Sequence, residues 1–247
     1  MAENDFFIGW KPMPRRFALV VGVAAVVFVL TGGVLAVVLA SAQPSPGGGV
    51  GEDELRAFEG QALVEPYAML RTTDESGKVR TILLVDEGKF GAADRLRPFA
   101  GQTVRVRGTL LHREGRWMVE LSADEEIERI ELPAVSLRNL KRVSHGSVTL
   151  KGEIIDPKCY LGAMKPGGGK THKACAALCL AGGIPPMLVV RRRDEREEFW
   201  LLVREDGGEA GEVARDWVGE PVEVRGWAEE VGDLRILRVG EKGISQR

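Results

Sequence analysis

Cys159, His172, Cys175 and Cys179 fall within one short stretch of this 247-residue chain, which contains no other cysteine. On an α-helix, steps of three and four residues return to nearly the same azimuth, so His172, Cys175 and Cys179 share a face. Cys159 arrives from the end of a preceding strand, giving a set of three thiolates and one imidazole. Such donors suit tetrahedral zinc, whereas copper(I) prefers soft sulfur and can also recruit Met164 or Met187. Zinc sites usually carry short cysteine knuckles, and only Cys175 with Cys179 has that spacing. The same residues have a second reading: a disulfide from Cys159 to Cys175 or Cys179, with the third thiol buried. They have a third as well. Cys175 in the first helical turn, beside His172 and Lys173, meets the conditions that lower a thiol's pKa and make it a nucleophile, although no Cys-x-x-Cys motif accompanies it.

Two sharper motifs fail. Gly167-Gly168-Gly169-Lys170-Thr171 imitates the tail of a phosphate-binding loop, but that pattern needs glycine where Met164 stands, so no nucleotide is expected. Covalent haem attachment requires Cys-x-x-Cys-His, which the Cys175–Cys179 segment is not. His112 and His145 stand alone and read as ordinary surface residues.

The elements that must position these side chains follow from local grammar. Thr171 is expected to cap a helix over 172–181, Gly182-Gly183 to end it, and Ile184-Pro185-Pro186 to prevent its restart. From Ala57 onward, short apolar alternations separated by Gly, Pro and acidic turns indicate an all-β body. That body repeats. Thr81–Val85 matches Phe199–Val203, and Gly101–Gly108 matches Gly219–Gly226, at one shared offset. Between these strands each copy has a helix-compatible stretch, 92–99 and 209–217, and after them a hairpin turning at Glu114-Gly115 or Gly232-Asp233. Strands, one helix, then a hairpin is the order of an OB-fold, a five-stranded Greek-key barrel. The expected architecture is therefore two tandem OB-like barrels, 57–132 and 147–240, joined by a connector at 133–146. Aligning Ala62–Met69 with Val148–Ile155 leaves 156–186 as an insertion in the second copy, and it holds all three cysteines.

The string Asp156-Pro157-Lys158-Cys159-Tyr160-Leu161-Gly162-Ala163-Met164, followed by His172, Cys175, Cys179 and Gly182-Gly183-Ile184-Pro185-Pro186, resembles a motif of bacterial membrane-anchored proteins. The resemblance implies that the insertion is a real unit and brings no activity with it. In layout the chain also resembles the haem chaperone of cytochrome c maturation, but that family's His-x-x-x-Tyr haem site has no counterpart here.

The charge-free apolar run 17–40 reaches about 36 Å as a helix, enough to cross a hydrocarbon core of roughly 30 Å. It reads as a single-pass anchor, with cleavage after Ala42 as the rival reading. Lys11, Arg15 and Arg16 precede the run, and 41–54 brings no Lys or Arg, so the N-terminus is expected inside and the body outside. For a bacterium this means the inner membrane with a periplasmic body. Residues 1–16 suit an interfacial segment, and 41–56 has linker composition. The chain's 44% hydrophobic content is ordinary for a protein that builds a packed core. With 34 basic and 36 acidic residues there is no global basic field for nucleic acid. The functional expectation is a non-enzymatic accessory subunit of a membrane redox or metal-handling complex, with Cys159, His172, Cys175 and Cys179 as metal ligands. The alternatives are a protein-binding adaptor with a stapled insertion, or a thiol oxidoreductase.

Overall fold

A computed structural model describes residues 14–42, 48–74, 76–131, 140–194 and 196–247. Residues 1–13, linker residues 43–47, residues 132–139 at the start of the connector, and residues 75 and 195 lie outside the described residues. The chain divides into two compact units at residue 45.

The first unit contains helix α1 (Arg15–Ala42), two residues longer at each end than the apolar run suggested. Its mean hydropathy is 2.7 and its side chains are exposed along its length, so by length and composition it can cross a membrane.

The second unit holds both barrels. In the first, β1 (Val50–Leu63), β2 (Met69–Thr73), β3 (Val79–Asp86), β4 (Thr103–Arg113) and β5 (Arg116–Leu121) pair in the order β1-β2-β3-β5-β4 and close through β1–β4, with short β6 (Glu128–Arg129) added outside β4. In the second, β7 (Arg142–Ile155), β8 (Met187–Arg191), β9 (Glu197–Arg204), β10 (Pro221–Val231) and β11 (Leu234–Gln246) close in the same order. A short helix follows the third strand of each: α2 (Ala93–Leu96), continued by a 3₁₀ turn to Phe99, and α4 (Gly211–Arg215). The duplication read from the sequence is thus two closed five-stranded barrels of OB topology.

Several boundaries moved. β1 starts at Val50, inside the expected linker, and β11 runs past residue 240 to Gln246. The first-strand alignment was out of step: Ala62–Met69 spans the end of β1, its loop and the start of β2. The structural equivalents are the strand ends Leu63 and Ile155. What differs between the copies is the link to the next strand, 64–68 in the first and 156–186 in the second.

Strand side chains alternate between two cores, as the period of two requires. Ile82 and Leu84 fill the first barrel, while Leu83 and Val85 belong to a cluster shared with the second. Trp200 and Leu202 fill the second barrel, and Phe199, Leu201 and Val203 meet the first. Both faces of β3 and β9 are therefore buried, which is why they read as unbroken apolar runs. Polar contacts fix the docking. The Tyr67 hydroxyl accepts from the Ala210 amide at 2.7 Å and donates to the Leu202 carbonyl at 3.1 Å. Arg113 makes a bidentate pair with Glu197 at 2.7 and 2.8 Å, and Tyr160 donates to the same carboxylate at 2.7 Å.

Candidate metal centre

The insertion begins where β7 ends. Asp156 is fully buried. One of its carboxylate oxygens, Oδ1, accepts from the Lys158 amide at 2.9 Å, and its carbonyl accepts from the Tyr160 amide at 3.1 Å. This turns the chain into one irregular turn, Cys159–Ala163, that buries Cys159, Tyr160 and Leu161. Gly162 closes the turn at φ 149, and a Cβ there would meet the Val50 carbonyl carbon at 2.3 Å, so only glycine lets β1 pass so near. The chain returns through a 3₁₀ turn, Lys170–His172, into helix α3 (Lys173–Ala181). The cap expected from Thr171 is not made: His172 occupies the N-cap position, without a side-chain cap bond, because the 3₁₀ turn shifts the helix start by one residue. Gly182 and Gly183 end α3 as expected, and the Ile184 amide reaches back to the Cys179 carbonyl at 3.1 Å.

The first barrel holds the insertion from the other side. The Lys158 ammonium, nearly buried, donates to the Asp86 carbonyl at 2.8 Å, the Gly88 carbonyl at 2.7 Å and Glu120 Oε1 at 2.7 Å. The Gly91 amide donates to the Gly182 carbonyl at 2.9 Å, and a Cβ on Gly182 would sit 1.8 Å from the Lys89 carbonyl oxygen. This contact delivers Lys89 to the cysteines.

Four side chains named from sequence and two that were missed meet here. Donor atoms of Cys159, His172 and Cys175 lie within 4.8 Å of one another, as do those of Asp156, Cys159 and Cys179. The four expected ligands therefore form two triads joined at Cys159, with Asp156 completing the second. Cys159, His172, Cys179 and Asp156 are buried, and Cys175 is partly exposed. All three cysteines are free thiols. The Lys89 ammonium lies 2.8 Å from Cys175 Sγ and 3.6 Å from Cys179 Sγ. Asp156 belongs to the motif string but was given no ligand role. Lys89 carries no local signal, because only barrel docking brings it near. His112 and His145 lie on strands away from the cluster, each facing a carboxylate, Glu52 at 3.7 Å and Glu230 at 3.5 Å.

The electrostatics are those of a shared proton and a nearby cation. The Cys159 thiol is pushed well up by its hydrogen bond to Cys179, then by burial and the Asp156 carboxylate, so Cys159 keeps its proton and donates it. Cys179 is lowered, first by accepting that bond. Lys89 is pushed up to about 12, chiefly by the Cys175 sulfur. His172 Nε2 and Asp156 Oδ2 are among the buried polar atoms that have no hydrogen-bond partner within the described residues. They face each other at 3.7 Å. Leaving two such atoms unpaired costs about 1–3 kcal/mol each, so the arrangement fits a bound cation.

No family model and no curated protein matches the chain. Among solved structures, a deletion variant of the single-stranded DNA binding protein from Thermus aquaticus is similar at 18% identity. The match covers 78% of this chain and 94% of that chain, with a TM-score of 0.21. A superposition that loose carries no argument, and the barrel assignment stands on strand order and closure.

Proposed function

We propose that this chain is a membrane-anchored accessory subunit whose body binds one zinc ion through Cys159, His172, Cys175 and Cys179, with Asp156 beside them. The observation that carries this reading is the pair of orphaned buried atoms, His172 Nε2 and Asp156 Oδ2, set among three free thiols. A dication satisfies both. Imidazole and carboxylate next to thiolates favour zinc over copper(I), which prefers sulfur alone. Three thiolates and one Zn²⁺ leave a net negative charge, and the Lys89 ammonium is placed to offset it. The positive charge at Arg15 and Arg16 supports an N-terminus inside and a periplasmic body, and the motif resemblance supports a bacterial inner-membrane setting. The role is that of a subunit in a membrane redox or metal-handling complex.

The test is metal analysis of the full chain purified in detergent under reducing buffer. One equivalent of zinc is expected, lost in Cys159→Ser. Folded, fully reduced protein that takes up no zinc would overturn the reading. The short Lys89–Cys175 contact favours a second reading, a thiol enzyme acting through Cys175. It requires rapid alkylation of Cys175 in the metal-free protein at neutral pH; equal slow labelling of all three cysteines excludes it.

A further inference from the structure

Cys159 is common to both triads: its sulfur lies within 4.8 Å of the sulfurs of Cys175 and Cys179. Those two are four residues apart on one helix, a step that sets their α-carbons about 6 Å apart along a rigid backbone. Of the three cysteines, Cys175 is partly exposed while Cys159 and Cys179 are buried. Cys175 is also the cysteine whose sulfur lies 2.8 Å from an ammonium. A soluble oxidant therefore meets Cys175 first, and the sulfur best placed to answer it is Cys159, which approaches from a separate turn.

From this we infer that the site is redox-gated: a Cys159–Cys175 disulfide, entered through Cys175, is the oxidised state that excludes the metal. The inference rests on the zinc reading for its consequence, but the disulfide itself forms or fails to form without metal. The co-reactant is a small-molecule disulfide. The Cys175 thiolate attacks one of its sulfurs, the S–S bond breaks, and one thiolate departs, leaving a mixed disulfide. Cys159 then attacks Cys175 Sγ and expels the second thiolate. The Cys159 proton ends on the departing sulfur. Two protein thiols are oxidised by two electrons, and the small disulfide is reduced to two thiols. Two of the metal donors are thereby tied into one bond and can no longer act as thiolates, while Cys179 remains free.

The experiment treats the metal-free full chain in detergent with oxidised glutathione and maps the product by non-reducing peptide mass spectrometry. The expected product is a Cys159–Cys175 disulfide in the parent and in Cys179→Ser, with glutathione retained on Cys175 in Cys159→Ser. A Cys159–Cys179 bond as the first product, or a Cys175 that stays reduced, overturns the inference. A second arm follows zinc with a chromophoric chelator. Oxidised protein should bind zinc at least 100-fold more weakly than reduced protein and regain it after reduction. Equal affinity in both states overturns the gating. Reduced protein that never binds zinc, while the disulfide still forms as mapped, sinks the zinc reading and with it the gating, whereas the mapping arm alone reports on the thiol chemistry.

Discussion

Lys158→Met removes a buried ammonium whose three bonds hold the insertion against the first barrel, to the carbonyls of Asp86 and Gly88 and to Glu120. The lysine side chain is 5% exposed, so these bonds are shielded from water, while Glu120 at 23% can regain some hydration. Hydrogen bonds to charged groups contribute about 1.5–3 kcal/mol each, and methionine keeps most of the aliphatic packing. Allowing for the rehydration of Glu120, the net loss should be about 3–5 kcal/mol. For a body of this size that corresponds to a Tm lowered by about 10 °C. Tryptophan fluorescence during thermal unfolding of the full chain in detergent reads it, since four of the five tryptophans lie in the barrels. Lys151→Met is the control: Lys151 pairs with Glu223 at the surface, and such pairs contribute about 0–1 kcal/mol. A Lys158→Met protein that melts within about 2 °C of the parent would refute the claim that this ammonium locks the insertion to its neighbour.

The remaining expectations are narrower. His172→Ala should weaken zinc binding more than tenfold in chelator competition, and zinc should be released as pH falls from 7 towards 5, because thiolates and imidazole must be deprotonated to bind. The chain's two tyrosines are both buried at the junction of the barrels. Tyr160 is pushed up to about 12 by burial and then by Glu197, and Tyr67 is raised by burial. Both phenols favour the protonated form in the fold, so their contribution is full below pH ~10 and is lost as pH rises towards ~12. Absorbance at 295 nm should then show no tyrosinate at pH 10.5 until denaturant is added, and a normal native titration would contradict the buried junction. Gly182→Ala places a Cβ 1.8 Å from the Lys89 carbonyl oxygen, so the loop must move at a cost of about 1–3 kcal/mol, read by the same thermal assay.

Chemistry that follows local spacing was legible in the sequence, and chemistry that depends on docking was not. The shared offset of the two copies led to the right topology because strand period and turn residues are local signals, as Gly115 and Gly232 at positive φ confirm. His172, Cys175 and Cys159 were found together because helix pitch and one turn place them. Asp156 was overlooked because an Asp-Pro step at a strand end reads as a turn, which it also is. Lys89 and Lys158 act across barrels, and no local pattern records that. One signal was available: the unbroken runs Ile82–Val85 and Phe199–Val203 mean burial on both faces, and a single barrel has only one inside. Thr171 failed as a cap because it lies inside the 3₁₀ turn Lys170–His172, which moves the helix start one residue on, to Lys173.

The apolar cluster that runs from Leu83 and Met118 through Cys159 to Phe199 and Leu201 belongs to neither copy alone. In physical terms the duplication has produced a heterodimer written into one chain, whose halves have diverged: one supplies the ligands, the other the lysine that closes over them. Expressing either copy alone would expose half of that cluster to water, so each half is expected to need its counterpart, and a nick in the connector should leave the pair associated and the site intact.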